Sequence, residues 1–242
     1  MRKKIKIAAD FILNLIFPKE CLGCQKEGCY LCQNCLAKIE LNDKFYCALC
    51  KKPSPLMLIC SDCRKSSELK AIWVAADYNN ALLQDLIHLL KYNYVEEISG
   101  ILGDLAIKYL QTNQILGQFN LNSANTIIVP VPLHKKRWQK RGFNQSELLA
   151  DLLSSRLGLA KENLIGRIKN TQTQINLKRN ERQENVKSAF SLKNIALFDK
   201  NKKIILIDDV VTTGSTLNEC AKVLEQAGFM EIYGLVVAQR ED

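Results

Sequence analysis

The chain has 242 residues, 47% of them hydrophobic and 24% charged, and 34 Lys and Arg against 25 Asp and Glu give a net charge of +9. This composition is that of a soluble globular protein, long enough for one large domain or two smaller ones with a sizeable core. No apolar run reaches the ~20 uncharged residues of a membrane span, and the positive charge favours a polyanionic or phosphorylated partner without identifying one.

The N-terminal stretch "MRKKIKIAADFILNLIF" has the basic start of a signal peptide. Asp10 interrupts its apolar part, however, and no small-residue cleavage site precedes Pro18. It reads as an amphipathic helix over residues 1–20, with Ile5, Ile12, Leu13 and Ile16 on the apolar side, packing on the next domain rather than inserting into a membrane.

Ten cysteines follow an uneven distribution, nine of them between Cys21 and Cys63 and only Cys220 elsewhere. Cys21 and Cys24, Cys32 and Cys35, Cys47 and Cys50, and Cys60 and Cys63 form four C-x-x-C pairs over residues 21–66. Each such pair supplies half of a tetrahedral thiolate zinc site. A disulfide framework would require export, for which the sequence carries no signal. Pairing in chain order predicts two structural Zn²⁺ ions, one on Cys21, Cys24, Cys32 and Cys35 and one on Cys47, Cys50, Cys60 and Cys63. Interleaved pairing of the same residues stays open. Cys29 overlaps the second pair in "CYLCQNC"; Cys32 and Cys35 are the preferred ligands, with Cys29 a spare thiol.

From residue 70 to 242 apolar β-like runs alternate with helical periodicity, the pattern of a mainly parallel α/β sheet with flanking helices. "AIWVAADY" (71–78) predicts a strand, and "ALLQDLIHLLKY" (81–92) and "ISGILGDLAIKYL" (98–110) predict helices. His88 lies beside a leucine stripe and is given no role. "TIIVPVP" predicts a buried strand whose pairing ends at Pro130 and Pro132. A helix then runs from Asn144, with Glu147 completing a capping box, to Gly158. Between them, "HKKRWQKRGFNQ" reads as a loop that sets Lys135, Lys136, Arg137, Lys140 and Arg141 around Trp138. In open α/β sheets ligands bind beyond the carboxyl ends of strands, which is where this loop belongs.

Residues 164–192 hold a long polar stretch between two short apolar ones, "LIGRI" and "AFSL", and read as a lid. In "IILIDDVVTTGSTLNECAKVLEQAGF" (204–229) a buried strand from Ile204 to Ile207 leads to Asp208 and Asp209, and a helix follows from Leu217 to Gly228 with Cys220 in its core. The intervening Thr212, Thr213, Gly214, Ser215 and Thr216 offer backbone N–H groups and hydroxyls at a helix N-terminus, a pocket for one phosphate. The loop lacks the lysine of a triphosphate-binding loop and the three glycines of a dinucleotide fingerprint. Two carboxylates beside a phosphate fit if they hold the vicinal hydroxyls of a sugar attached to it. The ligand class is therefore a ribose 5-phosphate.

"IILIDDVVTTGST" resembles the phosphoribosyl pyrophosphate (PRPP) motif of type I phosphoribosyltransferases. Together with "CLGC", "LCQNC", "LLKY", "VPVPLHKKRWQKRGFNQ" and "RIKNTQTQINLKRNERQENVKSAF", in that order, the chain resembles the ComF competence proteins, which join a cysteine-rich zinc segment to a phosphoribosyltransferase-like domain. The resemblance implies ribose-binding acids at Asp208 and Asp209 and a 5-phosphate loop at Thr212 to Thr216. It implies Lys91, Arg137 and Arg141 on the pyrophosphate side, with Mg²⁺ accompanying PRPP. Arg167, Thr171, Gln174, Arg182 and Asn185 match the lid block. Two functions follow: a cytoplasmic protein of DNA uptake, working beside translocation or recombination proteins at the inner face of the membrane and gripping single-stranded DNA with Lys135, Lys136, Trp138 and Lys140, or an enzyme transferring phosphoribose to an acceptor that no segment identifies.

Overall fold

The computed structural model describes residues 18–93, 95–171, 179–193 and 199–240. The expected helix over 1–20 lies outside them except at residues 18–20, where Glu20 bridges Glu27 instead.

The apolar runs form five parallel strands in the order β1-β7-β6-β2-β3: β1 Ala71–Asp77, β2 Thr126–Pro130, β3 Ala160–Lys161, β6 Lys203–Val211 and β7 Ile232–Gln239. A separate antiparallel hairpin pairs β4 Ile165–Arg167 with β5 Phe190–Leu192. Because strand side chains alternate, each strand feeds two cores. Trp73, Ile205, Ile207 and Leu235 face the helices α3 (Ala81–Tyr92), α4 (Ile98–Thr112) and α7 (Gln145–Leu157). Ile72, Val74, Ile204 and Leu206 face α9 (Ser215–Gln226) and the base of the β4-β5 hairpin.

The cysteine segment is not strung beside this sheet but wraps its β1 edge. Leu41 and Leu58 make single antiparallel bridges to Ala76 and Ala71, which covers an edge that would otherwise present unpaired backbone. Cys21, Leu31, Cys35 and Ile39 join one core, and Cys47, Ala48 and Ile59 the other. That clamp explains why β1, a sheet edge, is buried over Ala71 to Ala76.

Several boundaries differ from expectation, each for a local reason. β2 continues through Pro130, which stays in register with Ile207, and the Val131 N–H donates to the Ile207 carbonyl at 2.9 Å. Donors alternate sides along a strand, so the missing N–H of Pro130 falls on the β3 side, where pairing has already stopped at Ile128. β6 runs through the acid pair to Val211 rather than ending at Ile207. The basic segment is a helix, α6 (Lys135–Arg141), capped by His134 and closed by Gly142 at φ 86°, and not a loop. Half of the capping box forms: Asn144 accepts from the Ser146 N–H, while Glu147 turns away to Asn163.

Candidate functional site

The carboxyl ends of β2 and β6 and the helices α3, α6 and α7 enclose a cavity of about 370 Å³, covered by the β4-β5 hairpin and α8 (Arg179–Val186). Asp208 and Asp209 are on its floor. The Ser146 hydroxyl, at the first turn of α7, donates to Asp208 Oδ1 at 2.9 Å, as does the Asp209 N–H. Asp209 is 2% exposed, and its Oδ2 lies 3.0 Å from Lys91 Nζ as an ion pair.

Asp208 keeps partial exposure yet is packed deeply enough that burial, and then the charge of Asp209, push its carboxyl up to about 7; Lys91 and the Ser146 hydroxyl oppose the shift. Arg167 and Cys220 also feel this group. A folded value above the unfolded ~3.9 means that folding favours the protonated form, so the contribution is fully present below pH ~4 and is lost as pH rises through about 7. Asp208→Asn should therefore raise the melting temperature by ~2–4 °C per kcal/mol relieved, with a larger gain at pH 8 than at pH 5 in calorimetric scans. No gain at pH 8 would show that the carboxylate is not strained.

The loop after β6 is built as a helix start. Gly214 takes φ 76° at the N-cap of α9, so the helix begins at Ser215 instead of Leu217, and its first N–H groups have no partner within the helix. Thr212 and Thr216 line the cavity. The Thr213 and Ser215 hydroxyls are buried and bond each other at 2.6 Å, which fixes the loop.

The remaining wall is cationic. Lys91, Arg137, Lys140, Arg141, Arg167, Arg182 and Arg240 line it against the two aspartates, an excess of positive charge suited to a polyanion. Burial and Arg141 lower the pKa of Arg137, and burial and Arg137 lower that of Arg167. Arg137 Nη2 donates to the Thr171 carbonyl at 2.7 Å and Arg167 Nη2 to the Thr171 hydroxyl, joining the basic helix to the cover. Arg182 is 7% exposed, while Gln174 lies outside the described residues.

Lys135, Lys136 and Trp138 do not reach the cavity: they are exposed on the outer side of α6, and Trp138 is 49% exposed, whereas Phe143 is buried in the core. The structure adds Ser146, Arg240 and His88 to the site. His88, Lys91 and Tyr92 share one helix face by their spacing, which was readable from sequence; Ser146 and Arg240 depend on long-range packing and were not.

The cysteines segregate into the two sets expected in chain order, Cys21, Cys24, Cys32 and Cys35, and Cys47, Cys50, Cys60 and Cys63, each with all sulfurs within 4.8 Å of one another. This excludes interleaving and leaves Cys29 out. Sulfur separations of 3.7 Å (Cys24 to Cys32) and 3.5 Å (Cys50 to Cys60) match the ~3.8 Å edge of a tetrahedron with Zn–S of ~2.3 Å. The Cys32 N–H donates to Cys21 Sγ and holds that thiol down at about 6, and the Cys63 N–H brings Cys60 to about 7, while burial and the neighbouring thiols push Cys35 and Cys63 up. Elemental analysis should find close to two zinc ions per chain; one or none would contradict these sets.

A Phosphoribosyl transferase domain model matches residues 144–241 and a Double zinc ribbon domain model matches residues 12–64. The chain is thus a phosphoribosyltransferase-fold protein carrying two zinc ribbons. It is 31% identical to Competence protein F of Haemophilus influenzae, over 84% of this chain and 94% of that one. It is 34% identical to DNA utilization protein YhgH of Escherichia coli K12, over 82% and 85%, and 29% identical to Competence protein ComFC of Bacillus subtilis, over 82% and 79%. The chain belongs to the ComF family.

Proposed function

We propose that this protein binds PRPP with Mg²⁺ in the cavity above β6 and handles incoming single-stranded DNA in the cytoplasm during natural transformation. The observation that carries the ligand is the juxtaposition of Asp208 and Asp209 with the α9 N-terminus inside one cationic cavity. The acids accept the ribose hydroxyls, residues 212–216 hold the 5-phosphate, and Lys91, Arg137 and Arg141 receive the diphosphate. Mg²⁺ arrives with the diphosphate, because it keeps several waters and is held by substrate phosphates with at most one or two carboxylates. DNA handling is supported by the competence and DNA-utilization names of the relatives and by the outer face of α6, where Lys135, Lys136 and Trp138 offer phosphate contacts and a stacking platform beside Lys140. Among the described residues no helix is long and apolar enough to cross a membrane, and translocation or recombination proteins at the inner face of the membrane are the partners such a role requires.

The cation-lined cover over the cavity, in which Thr171 and Arg182 are buried, favours a second reading, an active phosphoribosyltransferase. On that reading the C1–O bond to diphosphate breaks as an acceptor attacks C1, Arg137 and Arg141 stabilise the departing charge, and the cover excludes water. Calorimetry with PRPP and Mg²⁺, then with single-stranded DNA, tests both. Binding of both ligands without PRPP consumption across a panel of bases supports handling, consumption with one base supports transfer, and failure to bind PRPP removes both ligand readings.

The cover should respond to ligand. Amides of residues 169–171 and 179–188 should exchange quickly in the free protein and slow on adding PRPP and Mg²⁺. Identical exchange in the two states would make this segment a plain connector.

A further inference from the structure

The second zinc ribbon grips the 212–216 loop from two sides. On one side, the knuckle between Cys47 and Cys50 lies directly on it: a Cβ added to Gly214 would sit 2.4 Å from Leu49 Cδ2, so the leucine covers the one position whose positive φ starts α9. The same knuckle is fastened to the sheet next to the loop. Gln239, 4% exposed at the end of β7, donates to the Ala48 carbonyl at 2.6 Å and accepts from Lys51 Nζ at 2.7 Å, and it is in register with Val211, the residue before Thr212. On the other side, the chain leaving Cys63 ties to the first turn of α9. The Glu68 N–H donates to Asn218 Oδ1 at 3.1 Å, and Asn218 Nδ2 donates to the Ser66 carbonyl at 3.0 Å. The first ribbon makes none of these contacts; it packs on the opposite core, beside α3.

We propose that the second ribbon is a working part of the phosphate site: with zinc on Cys47, Cys50, Cys60 and Cys63, Leu49 is a positioning residue that presets the 212–216 loop, so loss of that zinc weakens phosphate binding while loss of the first does not. The ligand half of this inference rests on reading 212–216 as a phosphate loop. The physical basis is preorganisation. A loop that must present several N–H groups to one anion loses affinity when its backbone becomes mobile, even though no contacting group is removed. Leu49 touches loop backbone and not ligand, and the zinc fixes where Leu49 sits.

The test uses the full zinc-loaded chain, with ribose 5-phosphate as the probe. Leu49→Ala should keep two zinc ions by elemental analysis, exchange amides 212–216 at least fivefold faster than wild type, and bind ribose 5-phosphate about tenfold more weakly; Leu49→Met should restore both. Cys24→Ser, in the first ribbon, should leave loop exchange and ribose 5-phosphate affinity near wild type. Unchanged loop exchange in Leu49→Ala would overturn the inference. If the wild type fails to bind ribose 5-phosphate while Leu49→Ala still accelerates exchange, the buttress stands and the ligand assignment falls. Equal weakening by Cys24→Ser and Leu49→Ala would make zinc a general stabiliser and contradict the division between the ribbons.

Discussion

Replacing Asp208 and Asp209 together with Ala should weaken PRPP binding by at least ~1.5 kcal/mol, roughly tenfold or more, while leaving the fold intact. Both side chains lie within β6 just past Ile204 to Ile207, which are fully buried, so truncating them removes acceptors without opening the hydrophobic core. The loss has two sources. The ribose hydroxyls lose their carboxyl acceptors, and Lys91 loses the carboxylate 3.0 Å away that places its ammonium group in the cavity. Single-stranded DNA affinity should hold or rise, because two negative charges leave a basic protein. A variant that is folded by circular dichroism and binds PRPP like wild type in calorimetry would contradict the assignment of the acids.

The second large effect separates the two faces of α6. Arg137 and Arg141 line the cavity, whereas Lys135, Lys136 and Trp138 point away from it. A Lys135→Ala, Lys136→Ala, Trp138→Ala variant should therefore keep PRPP affinity and lose DNA affinity. Two lost phosphate contacts should make the dependence of log K on log salt shallower by ~1.4, at about 0.7 per contact for single strands, and loss of the indole should remove a further ~1–3 kcal/mol of stacking. Fluorescence anisotropy with a labelled oligonucleotide across a salt series reads both terms. An Arg137→Ala, Lys140→Ala, Arg141→Ala variant should weaken both ligands. Equal losses of PRPP affinity in the two variants would mean that the faces of α6 do not divide the work.

Much of this site was legible because it is local. The acid pair, the small-residue loop and the following helix occupy one continuous stretch, so the spacing alone placed carboxylates and helix N-terminus together. The cysteines were legible for the same reason, each knuckle being a tight turn. What sequence concealed was set by tertiary packing. Nothing local tells that Ser146 of α7 will donate to Asp208, 62 residues away, or that Lys91 of α3 will pair with Asp209. The basic segment read as a loop because its residues carry no apolar stripe; it is helical because His134 caps it and Gly142 ends it. The ribbons read as a separate module from the cysteine clustering alone. Their apolar residues are few, and they complete their burial by joining the two faces of the sheet.

In the proposed function the cavity above β6 holds a ribose 5-phosphate, with its hydroxyls on the acids and its phosphate on the α9 N-terminus. A crystal structure of the protein grown with PRPP and Mg²⁺ tests it most directly. Density for the 5-phosphate is expected within hydrogen-bond distance of the backbone N–H groups of residues 212–216, with the 2- and 3-hydroxyls on Asp208 and Asp209 and the diphosphate toward Arg137 and Arg141. Ligand bound elsewhere, or turned so that a phosphate faces the two aspartates, would contradict it.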